Sequence, residues 1–218
     1  MSCSIGSIEG LVDCIQDIAE AAPDMPLYYY HIPRLTGVGL RMVDLLERAD
    51  AVLPSFAGLK FSSFELDDLL CCIRHGGGRY NVLFGSDEML LAGLSMGAAG
   101  AVGSTFNFMG PYYRRVIDAL EAGDLNQAQD HQLVATRKVH QILKYGGHDA
   151  LKAAMAVMGE DCGPPRLPWK PLSTDATASL REDLLDEGGE GHPAHAASEF
   201  ESSAVLLESL FENINIRG

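Results

Sequence analysis

The 218-residue chain is 47% hydrophobic and 21% charged, a balance that suits a soluble globular protein of one large domain or two small ones with a real core. Its 30 acidic residues against 16 basic ones give a formal net charge of -14 and a pI near 4.7. Phosphate backbones and anionic lipid repel such a chain, and no Lys/Arg cluster interleaved with aromatics offsets that, so the expected partners include neither nucleic acid nor membrane.

In chain order, the opening MSCSIGSIEG lacks the basic and apolar regions of a signal peptide, and no run approaches the length of a membrane span. A cytoplasmic location is therefore expected. The stretch SIEGLVDCIQDIAEAAP sets Ile8, Leu11, Val12, Ile15, Ile18, Ala19 and Ala22 on one helical face, with Pro23 beyond its end. A short β-prone run, PLYYYHIP, follows, and then the helical pattern LRMVDLLERADAVLP. FAGLKFS precedes ELDDLLCCIRHGGG, YNVLFG precedes SDEMLLAGLSMGA, and GAVGST precedes GPYYRRVIDALEAGD. Four short apolar strands alternating with amphipathic helices predict parallel βα units and argue against a sandwich. After Asp124 the pattern is helical only, through LNQAQDHQLVATRKVHQILKYG and HDALKAAMAVMG, until Pro164 and Pro165 break it. From about Glu182 the composition shifts to Glu, Gly, His, Ser and Ala, which predicts a mostly disordered acidic tail with a short helix at Ser203 to Phe211. The five cysteines, adjacent at Cys71 and Cys72 and scattered at Cys3, Cys14 and Cys162, have no metal-ligand spacing and read as reduced, structural thiols.

Parallel βα units gather functional side chains at the carboxyl edge of the sheet. The residues predicted there are Tyr30 on the first strand, Lys60 and Ser62 at the end of the second, Gly85, Asp87 and Glu88 after the third, and Ser104 and Thr105 closing the fourth. Lys60, one of only five lysines, sits in an apolar run with Phe56, Leu59 and Phe61. Desolvation there would favour the neutral, nucleophilic amine of Schiff-base chemistry. The alternative is a stem that packs while its head reaches water. Tyr30 could equally be a space-filling aromatic, Asp87 and Glu88 first-turn helix residues, and Ser104 an N-cap. A lysine amine, a phenol and several sugar-suitable acceptors on one edge are together what carbonyl condensation or cleavage needs.

The strings YYYHIP, GLKFS, LFGSDE and GAVGSTFNFMG, in this order and spacing, resemble the second half of the N-acetylneuraminate lyases, of the pyruvate-dependent class I aldolase family, and GPPRLP resembles the end of the animal enzymes. The resemblance covers roughly Ile8 to Arg181. It implies a (β/α) TIM barrel with extra C-terminal helices, a homotetramer, and cleavage of N-acetylneuraminate to N-acetylmannosamine and pyruvate. No metal or separate cofactor is implied, only a covalent Schiff base through Lys60. By position, Lys60 matches the Schiff-base lysine and Tyr30 the proton-transferring tyrosine, while Ser62, Gly85, Asp87, Glu88 and Ser104 match positions that hold the sugar. Related dihydrodipicolinate synthases carry an Arg five residues after the tyrosine; here that position is Leu35, and Arg34 is one place off.

A complete barrel takes about 250 residues and eight strands, against the four strands read here. The expected organisation is a partial barrel over 1–124, a helical extension over 125–181 and the tail over 182–218. The family's GTTGE-like carboxylate-binding loop has no counterpart in the chain. Two classes of reading follow: a lyase that is weak or inactive in this form, or a related pyruvate-dependent aldolase; and a non-catalytic half-barrel that joins full-length lyase subunits or regulates them.

Overall fold

The computed structural model describes residues 5–185. The helix expected at Ser203 to Phe211 and nearly all of the expected acidic tail lie outside the described residues. The chain divides into two compact units, one comprising residues up to Ser86 together with Ala92–Val102, the other Asp87–Leu91 together with residues from Gly103 onward.

In the first unit, α1 (Ile8–Ala21) starts where the Ser7 side chain accepts a hydrogen bond from the Gly10 N–H at 3.1 Å, satisfying an amide that the helix leaves open. Leu11, Val12 and Ile15 are buried, but Ile18, which shares their spacing, is 64% exposed. β1 (Leu27–His31), α2 (Pro33–Thr36), α3 (Met42–Val52), β2 (Phe56–Phe61), α4 (Leu66–Arg74), β3 (Asn81–Phe84), α5 (Leu90–Ser95, whose last four residues belong here) and β4 (Gly100–Ala101) follow. The strands form one parallel sheet in the order β1-β2-β3-β4. α1 packs on α3, and α3 on α4. These are consecutive βα units of a partial (β/α) barrel, as expected.

Register and pleat fix what each face carries. Tyr30 pairs with Lys60, Lys60 with Leu83, and Leu83 with Gly100. Adjacent residues of a strand point to opposite faces, so Lys60 shares its face with Tyr30, while Leu59, Phe61 and Phe84 are buried on the other. The expectation that Lys60 lies among Leu59 and Phe61 is corrected here: those side chains are its neighbours in sequence but not on its face. Gly58 allows β2 and β3 to approach, because a Cβ there would overlap the Asn81 carbonyl.

In the second unit, a single 3-10 turn (Asp87–Met89) is followed by α6 (Phe106–Glu121), α7 (Leu125–Lys144), α8 (His148–Val157) and α9 (Thr174–Leu185). α6 packs on α7, and α7 on α8 and α9. The expected fourth strand shrinks to two residues, and α6 begins at Phe106 rather than at Gly110, bending at Met109 (φ -118°, ψ 17°) just before Pro111, which lacks an N–H for the helical ladder. Helix α9 falls mostly within the helical extension expected over 125–181, although no sequence pattern singled it out, and it runs past Glu182. Its buried anchors are only Leu180 and Leu184, one turn apart, and Lys138 Nζ donates to the Leu184 carbonyl at 2.6 Å. Among the described residues, no helix is long and apolar enough to cross a membrane.

Candidate active site

Within the first unit, the structure brings Lys60, Tyr30, Ser62 and Gly85 together. Lys60 Nζ lies 4.1 Å from the centroid of the Tyr30 ring, a cation–π distance. Lys60 is half-buried, and Tyr30, on the edge strand, is 44% exposed. Ser62 follows the last residue of β2, its N–H donating to the His31 carbonyl at 2.8 Å and its hydroxyl to the Gly85 carbonyl at 3.0 Å. The Gly85 N–H donates to the Phe61 carbonyl at 2.8 Å. A Cβ on Gly85 would overlap Ser62 Oγ and lie 3.0 Å from Lys60 Cε, so the glycine is what admits both side chains.

The second unit holds Asp87, Glu88 and Ser104. Asp87 is buried, and its Oδ2 accepts from the Thr105 N–H at 2.8 Å and from the Thr105 hydroxyl at 2.6 Å. The Thr105 hydroxyl also meets the Tyr113 hydroxyl at 2.5 Å. Glu88 is half-buried, with its carbonyl accepting from the Thr136 hydroxyl at 2.9 Å; the Asp87 carbonyl accepts from Gln132 at 3.3 Å. Ser104 is exposed, and it is Thr105, not Ser104, that occupies the N-cap position of α6.

Sequence reasoning missed three groups. Tyr113 is fully buried, and burial raises its pKa, with Asp87 adding to the shift, so its hydroxyl stays protonated. Thr105 was named only as a strand end. His31, next to Tyr30, is wholly buried against Phe61 with ring centroids 5.1 Å apart, and neither ring nitrogen has a hydrogen-bond partner among the described residues. The position of Tyr113 two turns into α6 from Thr105, on its buried face, was the one signal that could have linked them. Of the thiols, Cys72 is buried and its pKa is raised chiefly by desolvation, whereas Cys14, Cys71 and Cys162 are exposed and free. Among the described residues, no three His, Cys, Asp or Glu side chains are grouped so as to hold a metal ion.

Residues 5–187 match the dihydrodipicolinate synthetase family. The chain belongs to that family. It is 41% identical over 179 residues to the N-acetylneuraminate lyase of Sus scrofa, covering 81% of this chain and 56% of that protein, and 41% identical over 177 residues to that of Homo sapiens, covering 80% and 55%. The chain thus spans little more than half the length of these relatives. Among solved structures, the N-acetylneuraminate lyase of Proteus mirabilis superposes with a TM-score of 0.79 at 34% identity, covering 83% of this chain and 61% of that one. The corresponding enzyme of Aliivibrio salmonicida gives 0.78 at 36%, covering 82% and 59%. A dihydrodipicolinate synthase of Bacillus anthracis, at 24% identity and a TM-score of 0.74, shares the fold.

Proposed function

We propose that the chain carries the Schiff-base half of an N-acetylneuraminate lyase, a carbon-carbon lyase that releases N-acetylmannosamine and pyruvate. The observation that carries this reading is the Lys60 amine held over the Tyr30 ring, across a register pair, in a chain 41% identical to lyases bearing that name. The Lys60 amine attacks the C2 ketone of the open-chain sugar acid and water leaves, giving an imine. Once protonated, the imine accepts the electron pair of the C3–C4 bond as that bond breaks. The C4 hydroxyl proton passes to the Tyr30 oxygen as the phenolic proton moves to the substrate carboxylate; the enamine left on Lys60 is then protonated at C3, and water hydrolyses the imine to free pyruvate and the lysine. Asp87, Glu88 and Ser104 are assigned to the polyhydroxylated tail, and Ser62 and Gly85 to the part of the substrate next to Lys60. The active form is proposed to be a cytoplasmic homo-oligomer.

Incubation with pyruvate and borohydride, followed by peptide mapping, tests the reading. The adduct is expected at Lys60 and lost in Lys60→Arg, since a guanidinium keeps the charge but is not a nucleophile. Equal labelling of Lys138, Lys144 or Lys152 would remove the special role of Lys60. Tyr30→Phe is expected to retain trapping while slowing cleavage. The second reading is a non-catalytic chain that associates with full-length lyase subunits, which an absence of any trapping would support.

A further inference from the structure

We infer that Thr105, Tyr113 and Gly103 are positioning residues for the Asp87 carboxylate, and so set the affinity for the polyhydroxylated tail of the substrate without touching it. This inference rests on the lyase reading for its functional consequence, but its structural basis lies within the second unit alone.

A hydroxyl has one proton and two lone pairs, and that count fixes the direction of the chain of hydrogen bonds. The Thr105 hydroxyl donates its single proton to Asp87 Oδ2 at 2.6 Å. At 2.5 Å from Tyr113, Thr105 Oγ1 must then accept, and Tyr113 must donate. Burial and the nearby Asp87 charge both oppose ionisation of Tyr113, which keeps that donor available. The Thr105 N–H adds a second donor to the same carboxylate oxygen at 2.8 Å. Two bonds from one residue converging on Oδ2 fix the plane of the carboxylate. The ring of Tyr113 is itself held by stacking on Phe106, with centroids 4.1 Å apart and planes 18° from parallel. Gly103 closes the arrangement, because any Cβ there would overlap the Asp87 carboxylate. A buried carboxylate in a fixed plane offers a sugar hydroxyl a preset acceptor geometry, which is where misplacement is costly.

The test uses the full 218-residue chain and compares Lys60 adduct formation from pyruvate with that from N-acetylneuraminate, counting adducts of either mass. In Thr105→Val and Tyr113→Phe, the half-saturating concentration of N-acetylneuraminate is expected to rise about ten- to a hundredfold, with that for pyruvate within about twofold, since pyruvate has no tail. Thr105→Ser, which keeps the donor, restores the sugar value. Unchanged sugar saturation, or equal weakening for both ligands that Thr105→Ser also shows, overturns the inference. A second measurement does not depend on any ligand: melting temperatures of Asp87→Asn, Tyr113→Phe and the double variant. Non-additive shifts that become additive in a Thr105→Val background are expected, and additivity throughout overturns the relay. If the parent chain traps neither ligand, the lyase reading fails, and the melting cycle alone decides the relay.

Discussion

A methyl group on residue 85 would overlap Ser62 Oγ and approach Lys60 Cε to 3.0 Å. Gly85→Ala therefore has to displace the lysine, the serine or the end of β3, and trapping by pyruvate at Lys60 is expected to fall at least about tenfold while the fold persists. Unaltered trapping by a folded variant would separate Gly85 from the site. His31 gives the second prediction at this scale. Desolvation lowers its pKa below the ordinary 6.5 and outweighs the opposing pull of Asp68 and Glu65. The unfolded chain thus takes up this proton more readily than the folded one. The contribution is fully present above pH 6.5, is lost as pH falls from there toward the folded-state value, and levels off below it. Urea unfolding of the parent and of His31→Leu from pH 7.5 to 4.5 is expected to show the parent losing stability relative to the variant as pH falls; a constant difference would contradict it.

Between elements, Asp68 of α4 caps a helix that is not its own. Its carboxylate accepts from the Met42 N–H at 2.6 Å and the Val43 N–H at 3.2 Å, the first two amides of α3, with Arg41 Nε 3.9 Å away. Asp68→Ala leaves these amides without that acceptor in a buried position, for an expected loss of about 2 kcal/mol in urea unfolding, with Asp68→Asn costing less. A cap supplied from 26 residues away has no signature in a local pattern, and nothing in the sequence around Asp68 singles it out. The strands and most helices were legible because each apolar run meets one partner surface. Lys60 with Tyr30 was legible too, since parallel pairing places consecutive strand ends side by side. Helix α9 was covered only by the general expectation of a helical extension to residue 181, because Leu180 and Leu184 are its only buried anchors and leave no clear periodic face. Nor was the inward role of Asp87, since its partner Thr105 lies 18 residues on and belongs to the next helix start.

At the scale of the whole chain, β1 pairs only with β2 and β4 only with β3 among the described residues, so the sheet presents two edges. On β1, Tyr28 and Tyr30 are 37% and 44% exposed, whereas parallel sheets are ordinarily covered on both faces. Open edges beside exposed aromatics favour pairing with another chain. The 218-residue polypeptide is therefore expected to self-associate with rising concentration in sedimentation velocity, and Tyr28→Glu, which places a charge on that strand, is expected to reduce the effect. The family match adds a catalytic expectation, because the pig lyase extends well beyond the 56% of its length matched here. Two copies of this chain would repeat Lys60 without supplying what the unmatched part of the relatives contributes. On the lyase reading, a substrate bound at Lys60 would be incompletely positioned, and misplacement by about 1 Å already costs on the order of 100-fold in rate. Trapping without efficient cleavage is the expected behaviour, with turnover rising when the unmatched part of a lyase relative is supplied as a separate polypeptide. A monomer at all concentrations that cleaves N-acetylneuraminate as fast as a complete lyase would overturn both expectations.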